Sequence, residues 1–245
     1  MSAYQDLHLF EREHWWFVGR RRIIEWAFCD ALGGRIMARA LDVGCGTGWN
    51  SRLLKKFARE VVGTDVSSTA WNLATSRVPG VTMVIASFPE EVPEPGRHYG
   101  CILLADVLEH IRDDGAALRK VAELLEPGGV ACFTVPAFPF LWSNHDRIAG
   151  HWRRYTKTSL IKVISTVPSL AIVRVQYCNS FLFPAVAAIR LIKKWFRLGA
   201  GESDLFNLPR SINTVLAWIF GAERYLLQHI SFPFGVSLVC TVIKK

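Results

Sequence analysis

The residues Leu41-Asp42-Val43-Gly44-Cys45-Gly46-Thr47-Gly48-Trp49-Asn50 constrain this chain more than any other stretch. A short apolar run ends at an acid, and three glycines then alternate with small residues. That is the pattern of a strand, a tight turn and the first turn of a helix. Glycine lacks Cβ, so the turn can take positive φ and let a ligand approach the backbone closely. Helix N-terminal N–H groups then point at whatever sits there. The stretch reads as a nucleotide or nucleoside cradle. A phosphate-gripping P-loop is excluded, because it needs Lys and Ser/Thr after its second glycine, whereas Trp49 and Asn50 follow Gly48. A dinucleotide loop has G-x-G-x-x-G spacing; this one is G-x-G-x-G, with Asp42 two residues before the first glycine.

A second acid strengthens the reading. Glu60-Val61-Val62-Gly63-Thr64-Asp65 is another short strand ending in Asp, and Asp65 lies 23 residues beyond Asp42. In a doubly wound sheet this is the carboxyl end of the second strand, where an acid reaches ribose hydroxyls. Further apolar runs at 81–85, 101–105 and 130–135 alternate with helical segments, which implies a parallel sheet with right-handed crossovers. The segment 113–125 has apolar residues at 117, 118, 121, 124 and 125 and reads as a helix stopped by Pro127-Gly128-Gly129. A sixth strand is expected at 171–177 and a last one at 236–243, with nearly 60 helical residues between them.

The G-x-G-x-G loop with its preceding acid resembles motif I of the class I S-adenosylmethionine (AdoMet) methyltransferases. Asp106 and the run Tyr99 to His110 resemble motif IV, the fourth strand and its following turn. The resemblance implies a Rossmann-like α/β fold: a doubly wound seven-stranded sheet, an antiparallel last strand and a helical insertion between strands six and seven. It implies AdoMet as cofactor, held by Asp42, Gly44, Cys45, Gly46, Gly48, Asp65, Val66 and Asp106. Relatives commonly place an acid after strand three to accept a bond from the adenine amino group. The matching position here is Ser87, a weaker acceptor, and Phe88 can pack on the ring instead. The expected divisions are an N-terminal helical cover at 1–37, an AdoMet-binding core at 38–177, a helical cap or membrane-facing insertion at 178–235, and the last strand at 236–245.

The acceptor chemistry is expected elsewhere, after the fifth strand, on the rim where open α/β sheets bind ligands. There Leu141-Trp142-Ser143-Asn144-His145-Asp146 is followed by Gly150-His151-Trp152-Arg153-Arg154-Tyr155. His145 or His151 could act as base, Asp106 could orient cofactor or acceptor, and Arg153 and Arg154 could clamp a phosphate or carboxylate. Trp142, Asp146 and Tyr155 complete the expected acceptor set. His145, Asp146 and Arg153 could equally form a network that orders the loop. Together with Glu13-His14-Trp15-Trp16-Phe17-x-x-Arg20, these segments resemble a bacterial subgroup of the type-11 methyltransferases. Trp15, Trp16 and Phe17 would cover the pocket or staple the first helix to the sheet.

Charge and cysteine usage bear on partners. The chain has 29 basic and 21 acidic residues, a net charge of +8, which suits nucleic acid, anionic lipid or a phosphorylated acceptor without choosing among them. Nucleic acid is disfavoured, since no N/D-P-P-Y-type motif occurs. On the helix expected at 183–198, Arg190, Lys193, Lys194 and Arg197 share one face, so contact with an anionic membrane and a lipid-linked acceptor are further expectations. No run of 18 uncharged apolar residues occurs, so no span of the bilayer is expected. Six separated cysteines, with no C-x-x-C and no Cys/His cluster, suggest neither a disulfide framework nor a metal site, and fit buried thiols in a cytoplasmic protein. The expected activity is methyl transfer to an oxygen of a small or lipid-like molecule. RNA methylation, or AdoMet binding without catalysis, is the alternative.

Overall fold

Seven apolar runs pair into one sheet in the computed structural model, which describes residues 10–196 and 208–245. They are β1 (Met37–Val43), β2 (Ala58–Asp65), β3 (Thr82–Ile85), β4 (Tyr99–Ala105), β5 (Leu125–Pro136), β6 (Leu170–Cys178) and β7 (Ser237–Lys244). The order across the sheet is β3-β2-β1-β4-β5-β7-β6. β7 runs antiparallel to both its neighbours, and the pairs from β3 to β5 are parallel. This is the α/β arrangement that the sequence implies, and it puts the carboxyl ends of β1, β2 and β4 along one rim.

The centre of the sheet is buried on both faces. All seven residues of β4 are buried, and they alternate between two apolar clusters. Ile102 and Leu104 join Phe133, Leu118 and Leu160 on one side. Cys101 and Leu103 join Ile23, Phe28 and Phe220 on the other. A strand covered on both faces needs no polar alternation, which is why β4 reads as a continuous apolar run.

The first of these layers is built by α4 (Asp114–Leu124) and α6 (Lys157–Ile164). Asp113 caps α4 by accepting the Ala116 N–H at 2.8 Å. The helix ends at Leu124, before the Pro127-Gly128-Gly129 expected to stop it. Those three residues belong to β5 instead, where Gly128 takes φ +73° and the register shifts opposite Tyr99 and Cys101. The helix thus stops just ahead of this signal, whose residues make the start of β5 irregular.

The second layer is α1 (Trp15–Leu32), with α8 (Arg210–Ala222) laid against it. A Cβ at Gly19 would lie 2.3 Å from Phe220 Cδ1, so only glycine allows this approach. Trp15 and Trp16 also pack on the Phe220 ring, with centroids at 6.4 and 5.6 Å. The segment between β6 and β7 thus contributes α7 (Phe183–Trp195), α8 and α9 (Arg224–Leu227) among the described residues. Arg197 lies outside them. Short helices α2 (Trp49–Leu54), α3 (Ser68–Arg77) and α5 (Asn144–Ile148) complete the crossovers and the rim. Among the described residues, no helix is long and apolar enough to cross a membrane. Five cysteines are buried free thiols; Cys29 is exposed, contrary to the expectation that all are buried.

Candidate active site

A cavity of about 870 Å³ opens at the rim above β1, β2 and β4, within the range of small-molecule sites. Gly44, Gly46, Asp65, Val66, Ser87, Phe88 and Asp106 line it. Three residues of the expected cofactor set do not. Cys45 turns its thiol to Met83, 3.8 Å away, in a small apolar cluster with Ala74 and Val78. Gly48 takes φ +87° where a Cβ would meet Val78 Cγ2 at 2.9 Å, so it serves packing under α3. Asp42 is fully buried beneath the loop and accepts the Ser51 hydroxyl at 2.6 Å. Burial pushes its carboxyl up to about 7, with Glu11 and Asp65 adding to the effect.

The amides of the loop are met by carboxylates. Asp65 accepts Gly46 N–H at 3.0 Å and Ser67 N–H at 3.0 Å. Glu11, in the helical segment at 10–13 before α1, accepts the Thr47 N–H at 3.2 Å and its hydroxyl. Gly46 takes φ +54°, and a Cβ there would stand 2.6 Å from Glu11 Oε1. Burial raises the Glu11 carboxyl, while the Thr47 contacts and Arg20 oppose that shift. No sequence motif announces Glu11; tertiary packing alone brings it 36 residues forward to Thr47.

At the end of β4, Asp106 takes φ +56°, accepts the Thr134 hydroxyl at 2.9 Å and pairs with Arg20 of α1. This explains why the N-terminal motif ends in an arginine: it balances an acid in the cavity wall. Beyond Asp106 the cavity reaches Glu109, His110, His145 and His151. The His110 and His151 rings meet edge to face at 4.6 Å, and His145 lies 6.1 Å from His151. Burial and the neighbouring His151 lower His110 to about 4. Glu109 is wholly buried and neither of its oxygens has a hydrogen-bond partner. Burial and the nearby Asp106 hold its carboxyl well above the usual range. One potential ligand atom from each of Glu109, His110 and His151 lies within 4.8 Å of the others, a grouping that sequence spacing does not anticipate.

Asp146 organises this end. It accepts from Arg154 at 2.8 and 2.9 Å, from Ser143 N–H at 2.8 Å, and meets His151 Nδ1 at 2.8 Å. Burial alone would raise Asp146, but the His151 and Arg154 bonds outweigh it and hold the carboxyl below its usual range. Arg154 and His151 line the cavity, whereas Asp146 sits behind them. Arg153 turns the other way and pairs with Asp114 at 2.7 Å, and the Tyr155 hydroxyl donates to the same carboxylate at 2.9 Å. Neither residue lines the cavity, nor does half-buried Trp142. The expected Arg153–Arg154 clamp is therefore divided, because adjacent residues of an extended segment point to opposite sides.

The basic face of α7 is divided between the cavity and solvent. Val186, Ile189, Arg190 and Lys193 line the cavity, while Lys194, Leu191, Ile192 and Trp195 are exposed. His14, Trp15, Trp16 and Phe17 also line the cavity, so the aromatic N-terminal motif both packs on α8 and borders the cavity.

Comparisons with known proteins agree with this geometry. A family model described as a methyltransferase domain matches residues 19–172. A stretch of 136 residues is 31% identical to a ubiquinone/menaquinone biosynthesis C-methyltransferase of Vibrio cholerae, covering 50% of this chain and 51% of that protein. Another, of 97 residues, is 32% identical to a ubiquinone biosynthesis O-methyltransferase of Chelativorans, covering 38% of each. The chain spans about half or less of the length of these curated relatives. Among solved structures, the N-methyltransferase NodS of Bradyrhizobium japonicum, in complex with S-adenosyl-L-homocysteine, superposes with a TM-score of 0.55 at 14% identity, covering 92% of this chain and 86% of that one.

Proposed function

The chain belongs to the methyltransferase-domain family, and from that premise we propose that it transfers a methyl group from AdoMet to an oxygen of a small or lipid-linked acceptor. The observation that carries the reading is the acidity of the glycine loop. Asp65 and Glu11 occupy the amides of Gly46 and Thr47, so a pyrophosphate would meet two carboxylates there. A cofactor with an ammonium and a sulfonium would instead be attracted. Gly46 lets the Glu11 carboxylate sit against the loop, since a side chain at that position would collide with it.

In this reading Glu11 and the Gly44–Gly46 backbone hold the amino-acid end of AdoMet, Asp65 faces the ribose, and Val66, Ser87 and Phe88 border the adenine. Asp42, Cys45 and Gly48 shape the loop from behind. Bound AdoMet supplies an electrophilic methyl carbon on sulfur. The protein's work is then alignment and removal of the hydroxyl proton. Asp106, held by Arg20 and Thr134, lines the cavity and would orient the cofactor or the acceptor. His145 takes the proton, and His151 is fixed in orientation by Asp146. The N-terminal segment and α7 cover the cavity from either side. Arg190 and Lys193 suit an anionic group on the acceptor, a role the sequence assigned to Arg153 and Arg154. Exposed Ile192 and Trp195 beside them (53% and 84% accessible) suit an apolar tail.

Incubation with methyl-labelled AdoMet and fractionated small-molecule, lipid and RNA extracts tests the proposal. Label in the small-molecule or lipid fraction supports it, and loss of that label in His145→Ala with AdoMet affinity kept supports the assigned base. Label in RNA, or in no fraction, would overturn it.

A further inference from the structure

We propose that Glu109, His110 and His151 form a binding site for a divalent cation of the zinc or manganese kind at the acceptor end of the cavity. This deepens the methyl-transfer reading and rests on it for its purpose, since the cation would meet the acceptor's hydroxyl oxygen. The three side chains come from two segments 41 residues apart, joined by a hydrogen bond from Trp152 N–H to the Glu109 carbonyl at 2.8 Å. One ligand atom from each lies within 4.8 Å of the other two. In a tetrahedral site with bonds of about 2.0–2.2 Å, donors stand about 3.3–3.6 Å apart. Side-chain rotations that draw the donors together by up to about 1.5 Å would complete the site.

Two further observations point to a ligand. Glu109 is completely buried, yet neither carboxylate oxygen has a hydrogen-bond partner. The nearby guanidinium groups bond to other acids, Arg20 to Asp106 and Arg154 to Asp146, and none is recorded bonding to Glu109. A buried carboxylate so placed needs either a proton or a cation. Both histidines are also anchored as metal-bound histidines are. His151 Nδ1 rests on the Asp146 carboxylate at 2.8 Å, leaving Nε2 for a second partner. The His110 ring is hydrogen-bonded to the Ala149 backbone. Outer carboxylates and carbonyls of this kind fix the tautomer and orientation of a ligating imidazole.

Two imidazoles and one carboxylate favour a first-row divalent ion over magnesium or calcium, which prefer all-oxygen sites. Three protein ligands leave positions open for substrate oxygen. An acceptor with a hydroxyl beside a second oxygen would fill two of them. The cation would lower the hydroxyl's pKa, so that the O–H proton passes to His145 at neutral pH. The oxygen then bonds to the methyl carbon as the carbon–sulfur bond breaks, and neutral S-adenosylhomocysteine leaves.

The full chain, stripped with a chelator, should be titrated calorimetrically with zinc and with manganese in the absence of AdoMet and acceptor. One cation per chain is expected, with affinity at least ~100-fold weaker in Glu109→Gln and in His151→Gln. Cobalt substitution should give visible absorption bands in the wild type that both variants lose. A wild type that takes up no cation, or variants that bind it as tightly, overturns the proposal. AdoMet binding by the same stripped wild type is measured in parallel. Loss of AdoMet binding with cation uptake intact would refute the cofactor reading and leave the metal site standing.

Discussion

The pair Asp146–Arg154 offers a quantitative test of how the acceptor end is held. Their side chains are 0% and 2% exposed, and they share two contacts of 2.8 and 2.9 Å. Removing one partner of such a pair strands the other charge in the interior, at a cost of about 3–5 kcal/mol. Asp146→Asn leaves the Arg154 guanidinium with no opposite charge, only the neutral Asn oxygen and the Ala137 carbonyl, 3.1 Å away. Arg154→Met leaves the carboxylate with His151 and Ser143. The double variant removes both charges together, so it should cost far less than the sum of the singles. The expected coupling is about 3 kcal/mol. Urea unfolding of the four proteins measures it. At a slope of about 2–3 kcal/mol/M, each single variant shifts the midpoint by roughly 1 M or more. Strict additivity in the double variant would refute the claim that these two charges depend on each other.

Other expectations concern the loop, the helix interface and the cavity. Asp42 holds its proton more tightly folded (about 7) than at its ordinary value of 3.8. Its contribution to stability is therefore full below pH 3.8 and is lost as pH rises through 7. Asp42→Asn, which still accepts from Ser51, should gain up to about 4 kcal/mol on the wild type between pH 4 and pH 8; parallel denaturation curves at the two pH values would contradict this. Gly19→Ala should lower stability by about 1–3 kcal/mol through its collision with the Phe220 ring, and thermal unfolding at an unchanged midpoint would show that α1 and α8 do not approach as described. Reversing charge at Arg190 and Lys193 should weaken acceptor binding while sparing AdoMet affinity, which a KM measurement on any labelled acceptor checks.

The sheet was legible because its signals are local. β4 is apolar along its whole length since both faces are covered, and the glycine loop carries its turn chemistry within five residues. What the sequence left hidden depends on distance or direction. Glu11 reaches Thr47 only because α1 lies over the sheet. Glu109 and His151 meet because a backbone bond and the Arg153 and Tyr155 contacts to Asp114 tie two distant segments. Arg153 and Arg154 look equivalent in sequence, yet one braces Asp114 and the other Asp146. Helical periodicity put Arg190 and Lys193 on one face of α7 but could not say that the face looks into a cavity rather than outward. Pro127-Gly128-Gly129 follows the end of α4 as a helix stop should, but its pairing inside an irregular start of β5 is set by β4 and was not legible.

The central claim is that the acidic glycine loop binds AdoMet, and calorimetric titration of the full chain with AdoMet tests it most directly. One site per chain is predicted, abolished in Gly46→Arg and weakened at least ~tenfold in Asp65→Ala, the loss of a charge-assisted hydrogen bond. Unaltered affinity in both variants, or no binding by the wild type, would contradict it.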